Sequence, residues 1–289
     1  MHFIFRLLLV FIVPLYSVGT QMLILPSSAE ELSAGSHSTL PGMLPINPAL
    51  YSCSSEDSPE LLLNRGTWFG DISLTQIGYN QIIDGKIFHL GLKYCGLSDL
   101  EFRENVPQDI SYANFSAYGL TMNAGLGIQR SQHRFGLSLS YIHFGLYTEQ
   151  SNGIGLDFGY AIEIKNGFSI GLVAKNIGKM NKLSSESPKL PKRVSTGFSK
   201  KLNYKNIHNI IFVSMDWNSV SNTSKYYFGN SLNWNHLYLL AGYSSSKDVT
   251  ESSFGIGLNF SRYKITYGTK IGSQDLGLPK LLSLEFVLP

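Results

Sequence analysis

NGIGLDFGYAIEIKNGFSIGLVAKNIG, residues 152 to 178, decides the fold. Ile154, Leu156, Phe158, Tyr160, Ile162 and Ile164 alternate with Gly155, Asp157, Gly159, Ala161, Glu163 and Lys165, the period of two that sends one set of side chains to each face of a β-strand. The first set is wholly apolar; the second is small or charged. Asn166-Gly167 comes next, the dipeptide most typical of a tight two-residue hairpin turn. Beyond it Phe168, Ile170, Leu172 and Ala174 resume the apolar face, while Ser169, Gly171 and Lys175 take the other. The stretch reads as a long β-hairpin with one greasy side and one wet side. What the greasy side meets, a protein core or lipid, is settled by the rest of the chain.

Outward from the hairpin, alternation recurs between turn signals. Phe135, Leu137, Leu139 and Tyr141 alternate with Gly136, Ser138 and Ser140; Phe254, Ile256, Leu258 and Phe260 with Gly255, Gly257 and Asn259; Tyr263, Ile265 and Tyr267 with Arg262, Lys264 and Thr266. Candidate strands run from Leu61 to Asn64, Thr67 to Tyr79, Lys86 to Phe102, Tyr112 to Ile128 and Arg134 to Tyr147, then through the hairpin. They continue from Arg193 to Leu202, Asn209 to Val220, Lys225 to Trp234, Leu237 to Ser244, Ser252 to Phe260, Arg262 to Ile271 and Leu281 to Leu288, about 14 in all. Several run to ten residues or more, the length a tilted membrane-spanning strand needs. A soluble sandwich would bury the same apolar faces against each other. Long strands, frequent inward glycine and tyrosine-rich ends favour instead an all-β, closed antiparallel transmembrane β-barrel, whose apolar face points to lipid and whose closure leaves no unpaired edge.

Composition agrees with this without deciding it. The 289 residues are 43% hydrophobic, near the globular norm, but only 15% charged, with Gly (28), Tyr (16) and Phe (17) plentiful. A net charge of +3 with no Lys/Arg cluster excludes a nucleic-acid partner. At the N-terminus, Arg6 precedes the apolar run Leu7 to Leu15 and the small-residue site Ser17-Val18-Gly19. This predicts an export signal over residues 1–19; the run is short for a membrane span and contains Pro14. Residues 20–59 lack the alternation of the strand region. Ser27-Ser28-Ala29-Glu30-Glu31 offers an N-cap hydroxyl and early acids, Gly35 stops the helix, and three prolines between Pro41 and Tyr51 forbid a regular strand. A short helix and ordered loop that plug or cap the barrel of residues 60–289 are expected. Cys53 and Cys95 could pair or stay as thiols, since one falls in an irregular segment and the other in a strand.

In order and spacing the segments resemble the PorV/PorQ family of outer-membrane proteins, whose fold is related to the FadL-type fatty-acid transporters. The resemblance rests on LPSSAEELSAG followed by INPAL, with Pro26, Ala29, Asn47 and Pro48 at motif positions. It rests next on the hairpin itself, with its inward Asp157 and a second strand closing on Asn176-Ile177-Gly178. The stretch LPKRVSTGFSKKL, carrying Pro191, and the closing strands LYLLAGYSS, FGIGLNFSRYKITYG and LGLPKLLSLEF complete it. Glu30 stands where the family more often has Arg. The resemblance implies a barrel of FadL type in the bacterial outer membrane. For its best-known members it also implies a part in type IX secretion, with exported proteins or other secretion components as partners beside the membrane lipid.

No chemistry of an enzyme or a cofactor site is legible. His89, His133, His143, His208 and His236 lie in or beside strands, but no Gly-x-Ser-x-Gly elbow accompanies them. Gly125-Leu126-Gly127 and Gly153-Ile154-Gly155 open no helix, so they are strand rather than phosphate loop. No spacing suits a metal. Charges on the inward face line whatever the barrel encloses, which makes Asp157, Glu163, Lys165 and Lys175 the candidate lumen-lining residues. The polar stretch KMNKLSSESPKLPK, Lys179 to Lys192, reads as a loop at a membrane face. The expected function is a non-enzymatic component in protein secretion or surface attachment; a FadL-like transporter or channel for small hydrophobic or polar solutes is the alternative.

Overall fold

The computed structural model describes residues 18–53, 58–102, 113–273 and 277–289. Most of the expected export signal, residues 1–17, lies outside them, as does residue 112. The described chain forms fourteen strands: β1 (Glu60–Trp68), β2 (Ile72–Ile83), β3 (Lys86–Phe102), β4 (Ala113–Arg130), β5 (His133–Leu146), β6 (Glu149–Ile164), β7 (Phe168–Met180), β8 (Arg193–Tyr204), β9 (Ile207–Asn218), β10 (Thr223–Trp234), β11 (Leu237–Ser245), β12 (Thr250–Asn259), β13 (Tyr263–Gly272) and β14 (Lys280–Val287). Each pairs antiparallel with its sequence neighbours, and β1 meets β14 from Glu60↔Val287 to Thr67↔Lys280, so the barrel is closed.

Two boundaries differ from the sequence reading. The first turn falls at Phe69–Asp71, where Gly70 and Asp71 take φ of 69° and 58°; the first two strands are therefore Glu60–Trp68 and Ile72–Ile83, because Gly70-Asp71 is a stronger break than Arg65-Gly66. In the central hairpin the pair Ile164↔Phe168 leaves a three-residue turn, with Asn166 and Gly167 at φ 64° and 74°, rather than two residues.

The apolar set points outward on every stave. Leu90, Ile154, Phe198 and Phe254 expose 57, 57, 57 and 55% of their surface, a load that water would penalise and hydrocarbon accepts. Near the end that holds the short turns, Phe135, Phe168, Tyr204, Trp234, Phe260 and Tyr263 form an exposed aromatic belt of the kind found where barrels meet the membrane interface. The barrel thus spans a membrane. β3 and β4, with 17 and 18 residues, exceed the roughly 9–11 that cross a bilayer and project beyond it.

Residues 18–53 fill the interior. Helix α1 (Ala29–Ala34) starts where Ser28 Oγ accepts from Glu31 N at 3.1 Å and stops at Gly35, φ 96°; all six residues are buried. A second short turn, Pro48–Leu50, is capped by Asn47, whose Oδ1 accepts from Ala49 N at 3.0 Å. Helix α1 lies against β10–β14 and the Pro48–Leu50 turn against β4–β6. Inward glycines make both contacts possible. A Cβ at Gly171 would fall 2.1 Å from Ser38 O, at Gly159 2.1 Å from Asn47 Oδ1, at Gly242 2.6 Å from Ser33 O and at Gly268 2.6 Å from Ala29 O.

Candidate functional site

The wall holds the plug through polar side chains that sit where a water-filled barrel would be solvated. Gln76 Nε2 donates to Pro26 O at 2.8 Å, Asn64 Nδ2 to Ser27 O at 2.7 Å, and Asn80 Nδ2 to Met43 O at 3.2 Å and Ser52 O at 2.8 Å. In return the plug donates Ala29 N to Ser283 Oγ at 2.8 Å and Asn47 Nδ2 to Tyr160 O at 3.0 Å, while the same amide also donates to Ser38 O within the plug. These bonds satisfy backbone groups that no sheet or helix ladder pairs. They place three motif residues of the N-terminal segment, Pro26, Ala29 and Asn47, at the seam between plug and wall, and Pro48 reaches it against Gly136.

Two ionisable plug residues show how the seam is set. Burial pushes the Glu30 carboxyl up, but the Lys264 ammonium at 2.8 Å outweighs it and holds the group below the ordinary carboxylate range; Thr266 Oγ1 also donates to it at 3.3 Å. Lys264 also reaches Glu285 Oε1 at 3.2 Å, so an acid at position 30 is the natural partner for this stave. His37 is fully buried; burial pulls its imidazole down to about 4, against the smaller upward pull of Ala34 O and Glu31. Neutral His37 donates from Nε2 to Ala34 O at 2.7 Å and accepts at Nδ1 from Ser214 Oγ at 3.0 Å.

Between the plug and β2–β7 a cavity of about 70 Å³ remains. A bulge builds one side of it: Leu156 pairs with Ile177 and Phe158 with Ala174, so Asp157 faces two residues, Lys175 and Asn176. Asn176 adopts φ 59°, its N–H donates to Asp157 Oδ1 at 2.7 Å, and its side chain donates to Pro191 O at 2.9 Å. Lys175 Nζ lies 3.8 Å from Asp157 Oδ2. The structure therefore brings Asp157, Lys175, Asn176 and Pro191 together. Glu163 stands apart at the short-turn rim, paired with Lys201 at 2.8 Å and about 40% exposed. Lys165 does not line the lumen: the strand ends at Ile164, the turn residue Asn166 is left-handed, and Lys165 is carried into solvent.

The opposite side of the cavity was not singled out in the sequence. Tyr51 stacks on His89 with ring centroids 4.4 Å apart, and burial pushes its phenol well above the ordinary value. His89 Nδ1 donates to Asn80 Oδ1 at 2.5 Å, and Lys93 Nζ to Leu25 O at 2.5 Å. The signal was present in KIFHLGLKYCG, where His89, Gly91, Lys93 and Cys95 hold the inward positions of β3. No disulfide joins Cys95, buried in the wall, to Cys53.

Outside the barrel, against β2–β6, lies an apolar hollow of about 600 Å³ lined by Ile77, Leu90, Met122, Tyr141 and Ile154. It shares Leu92, Asn123 and Ser140 with the inner cavity. On the inner face one register row of small residues leaves room for the cavity: Gly78, Gly91, Asn123, Ser140, Gly155 and Gly178 succeed one another across β2–β7.

Fold and site together define a plugged, fourteen-stranded transmembrane barrel with a polar inner cavity. Solved structures similar in fold include the toluene transporter TodX of Pseudomonas putida, with a TM-score of 0.63, 13% identity, and coverage of 90% of this chain and 96% of that one. The toluene transporter TbuX of Ralstonia pickettii gives 0.55, 10%, 84% and 92%, and the monoaromatic hydrocarbon channel CymD gives 0.53, 10%, 94% and 93%. At such identities the likeness is one of fold. Neither a family model nor a curated protein matches the chain.

Proposed function

We propose that the protein is a non-enzymatic, FadL-like channel of the bacterial outer membrane that passes small solutes between the lipid face and the plugged interior. The observation that carries this is the shared lining: Leu92, Asn123 and Ser140 border both the outer apolar hollow and the inner polar cavity. A plug held by hydrogen bonds closes the straight route through the barrel. Likeness of fold to proteins named as hydrocarbon transporters and channels supports the same reading, as does an exterior that only a bilayer satisfies. An export signal that ends near the start of the plug, removed before insertion, completes it.

Uptake into proteoliposomes tests the reading. Filling the inner mouth of this route with Asn123→Trp or Ser140→Phe should cut solute flux at least tenfold while heat-modifiable migration persists. Unchanged flux in both variants would sink the lateral route.

A role in protein secretion of the PorV/PorQ kind is the second reading, and one surface favours it. The loop over 181–192 is folded on itself by the Leu183↔Glu186 bridge, braced by Thr20 Oγ1 on Lys189 O at 2.7 Å, and exposes Lys182, Lys189 and Lys192 at the mouth opposite the short turns. Exported proteins that co-purify with the barrel and are lost when 181–189 is replaced by a short Gly-Ser linker would support it. Co-purification that survives the replacement would remove the loop from that role.

A further inference from the structure

We propose that the cavity between the plug and β2–β7 binds a compact, hydrated carboxylate of two or three carbons, held by the ammonium groups of Lys93 and Lys175. The inference rests on the channel reading for its physiological meaning and names the class of solute that this interior accepts.

The first argument is charge. Lys93 reaches into the barrel and donates to Leu25 O, but it makes no ion pair among the described residues. The carboxylates near it do not touch it. Glu31 accepts from Ser27 N at 2.7 Å and Ser36 Oγ at 2.6 Å, and Asp157 accepts from Asn176 N and faces Lys175. The cavity is thus lined by two ammonium groups and one carboxylate. A cation inside a plugged barrel without a counter-ion of its own is costly unless an anion from solution completes it.

The second argument is unspent hydrogen bonding. Among the described residues Gln76 Oε1, His89 Nε2 and Thr121 Oγ1 have no hydrogen-bond partner, and all three residues are more than nine-tenths buried and line this cavity. Because His89 Nδ1 donates to Asn80, neutral His89 offers a lone pair at Nε2. Gln76 already uses its amide N–H on Pro26 O, which leaves its carbonyl oxygen. The site therefore combines two ammonium groups and a hydroxyl for an anion with two acceptors for the water that travels with it. An aromatic hydrocarbon would leave every one of these groups unpaired. Size sets the other limit, since about 70 Å³ holds a short acid and its water but not an alkyl chain.

Ligand-observed NMR on the full-length protein in detergent micelles tests this with propionate, propionamide and octanoate as probes. Propionate should bind saturably, propionamide at least tenfold more weakly, and octanoate no better than propionate. Lys93→Met should weaken propionate at least tenfold and Lys93→Arg should restore it, with heat-modifiable migration confirming that each variant is folded. Equal binding of propionamide, tighter binding of octanoate, or undiminished propionate binding by folded Lys93→Met would each overturn the assignment. Should Lys93→Met not fold, Lys175→Met carries the same expectation. The two proposals fail separately: proteoliposomes that pass neutral solutes without propionate binding remove only the carboxylate site, and propionate binding without solute flux removes only the channel.

Discussion

At the scale of single residues, the interior is governed by buried charge and by pairing across the plug seam. Lys264 lies between Glu30 and Glu285 at 2.8 and 3.2 Å. Lys264→Met leaves two carboxylates facing each other, and a loss of ~3–5 kcal/mol is expected, read as a lower temperature for the shift from folded to unfolded migration. Glu30→Gln should cost less, because Lys264 keeps Glu285. His37 makes a pH prediction with a definite sign. Its imidazole sits near 4 when folded and near 6.5 when unfolded, so between those values the unfolded plug binds more protons and stability falls as pH falls. The full effect is about 3 kcal/mol. It is intact above pH 6.5 and lost by pH 4. Protease protection of the plug should track this window in the wild type and flatten across it in His37→Gln. Asp157 was legible in the sequence as an inward charge, because alternation alone assigns its face. That it is met by Lys175 and the N–H of Asn176 was not legible, because a bulge shifts β7 by one residue and no period reports that.

At the scale of elements, plug and wall are matched by subtraction: the strands omit side chains where plug backbone arrives. Gly171→Leu would drive a side chain into Ser38 O, which stands 2.1 Å from a bare Cβ and is backbone that cannot step aside. The plug should unseat and single-channel conductance in planar bilayers rise severalfold, while the outward Leu172→Ala on the same strand leaves conductance as it was. No rise in conductance would show that the plug does not depend on this contact. The helix within the plug was readable from Ser28, Glu30, Glu31 and Gly35, since capping is local chemistry. Its seat on β10–β14 was not, because glycines spread over ten strands mark a docking surface only once closure brings them around one axis.

At the scale of the whole molecule, the exterior and the strand lengths make lipid part of the fold. The protein should need detergent to remain dispersed and should migrate faster unheated than boiled; a chain that stayed soluble without detergent would contradict the barrel's apolar outside. The staves are unequal, 17 and 18 residues in β3 and β4 but 9 and 8 in β11 and β14, and the long side carries both the outer hollow and the inner cavity. Solute exchange and binding are therefore expected on that side. The short side carries the helix and is cross-linked by ion pairs among Lys225, Glu251 and Lys270 at 2.5 and 3.0 Å.

By itself the sequence determined the class of structure: period-two alternation, turn dipeptides and strands too long for a globular sheet specify which face of each strand is apolar, and that property is local to each strand. It determined as well that a capped helix precedes the barrel and that Asp157 and Lys175 face inward. Only the tertiary structure decided what the interior is. Closure of β1 on β14, the register row of small residues through Gly91, Asn123 and Ser140, and the threading of residues 18–53 set Lys93, His89, Gln76 and Tyr51 around one cavity. Those contacts join residues far apart in the chain, whose meeting depends on strand register and barrel closure, quantities that no local pattern of side chains encodes.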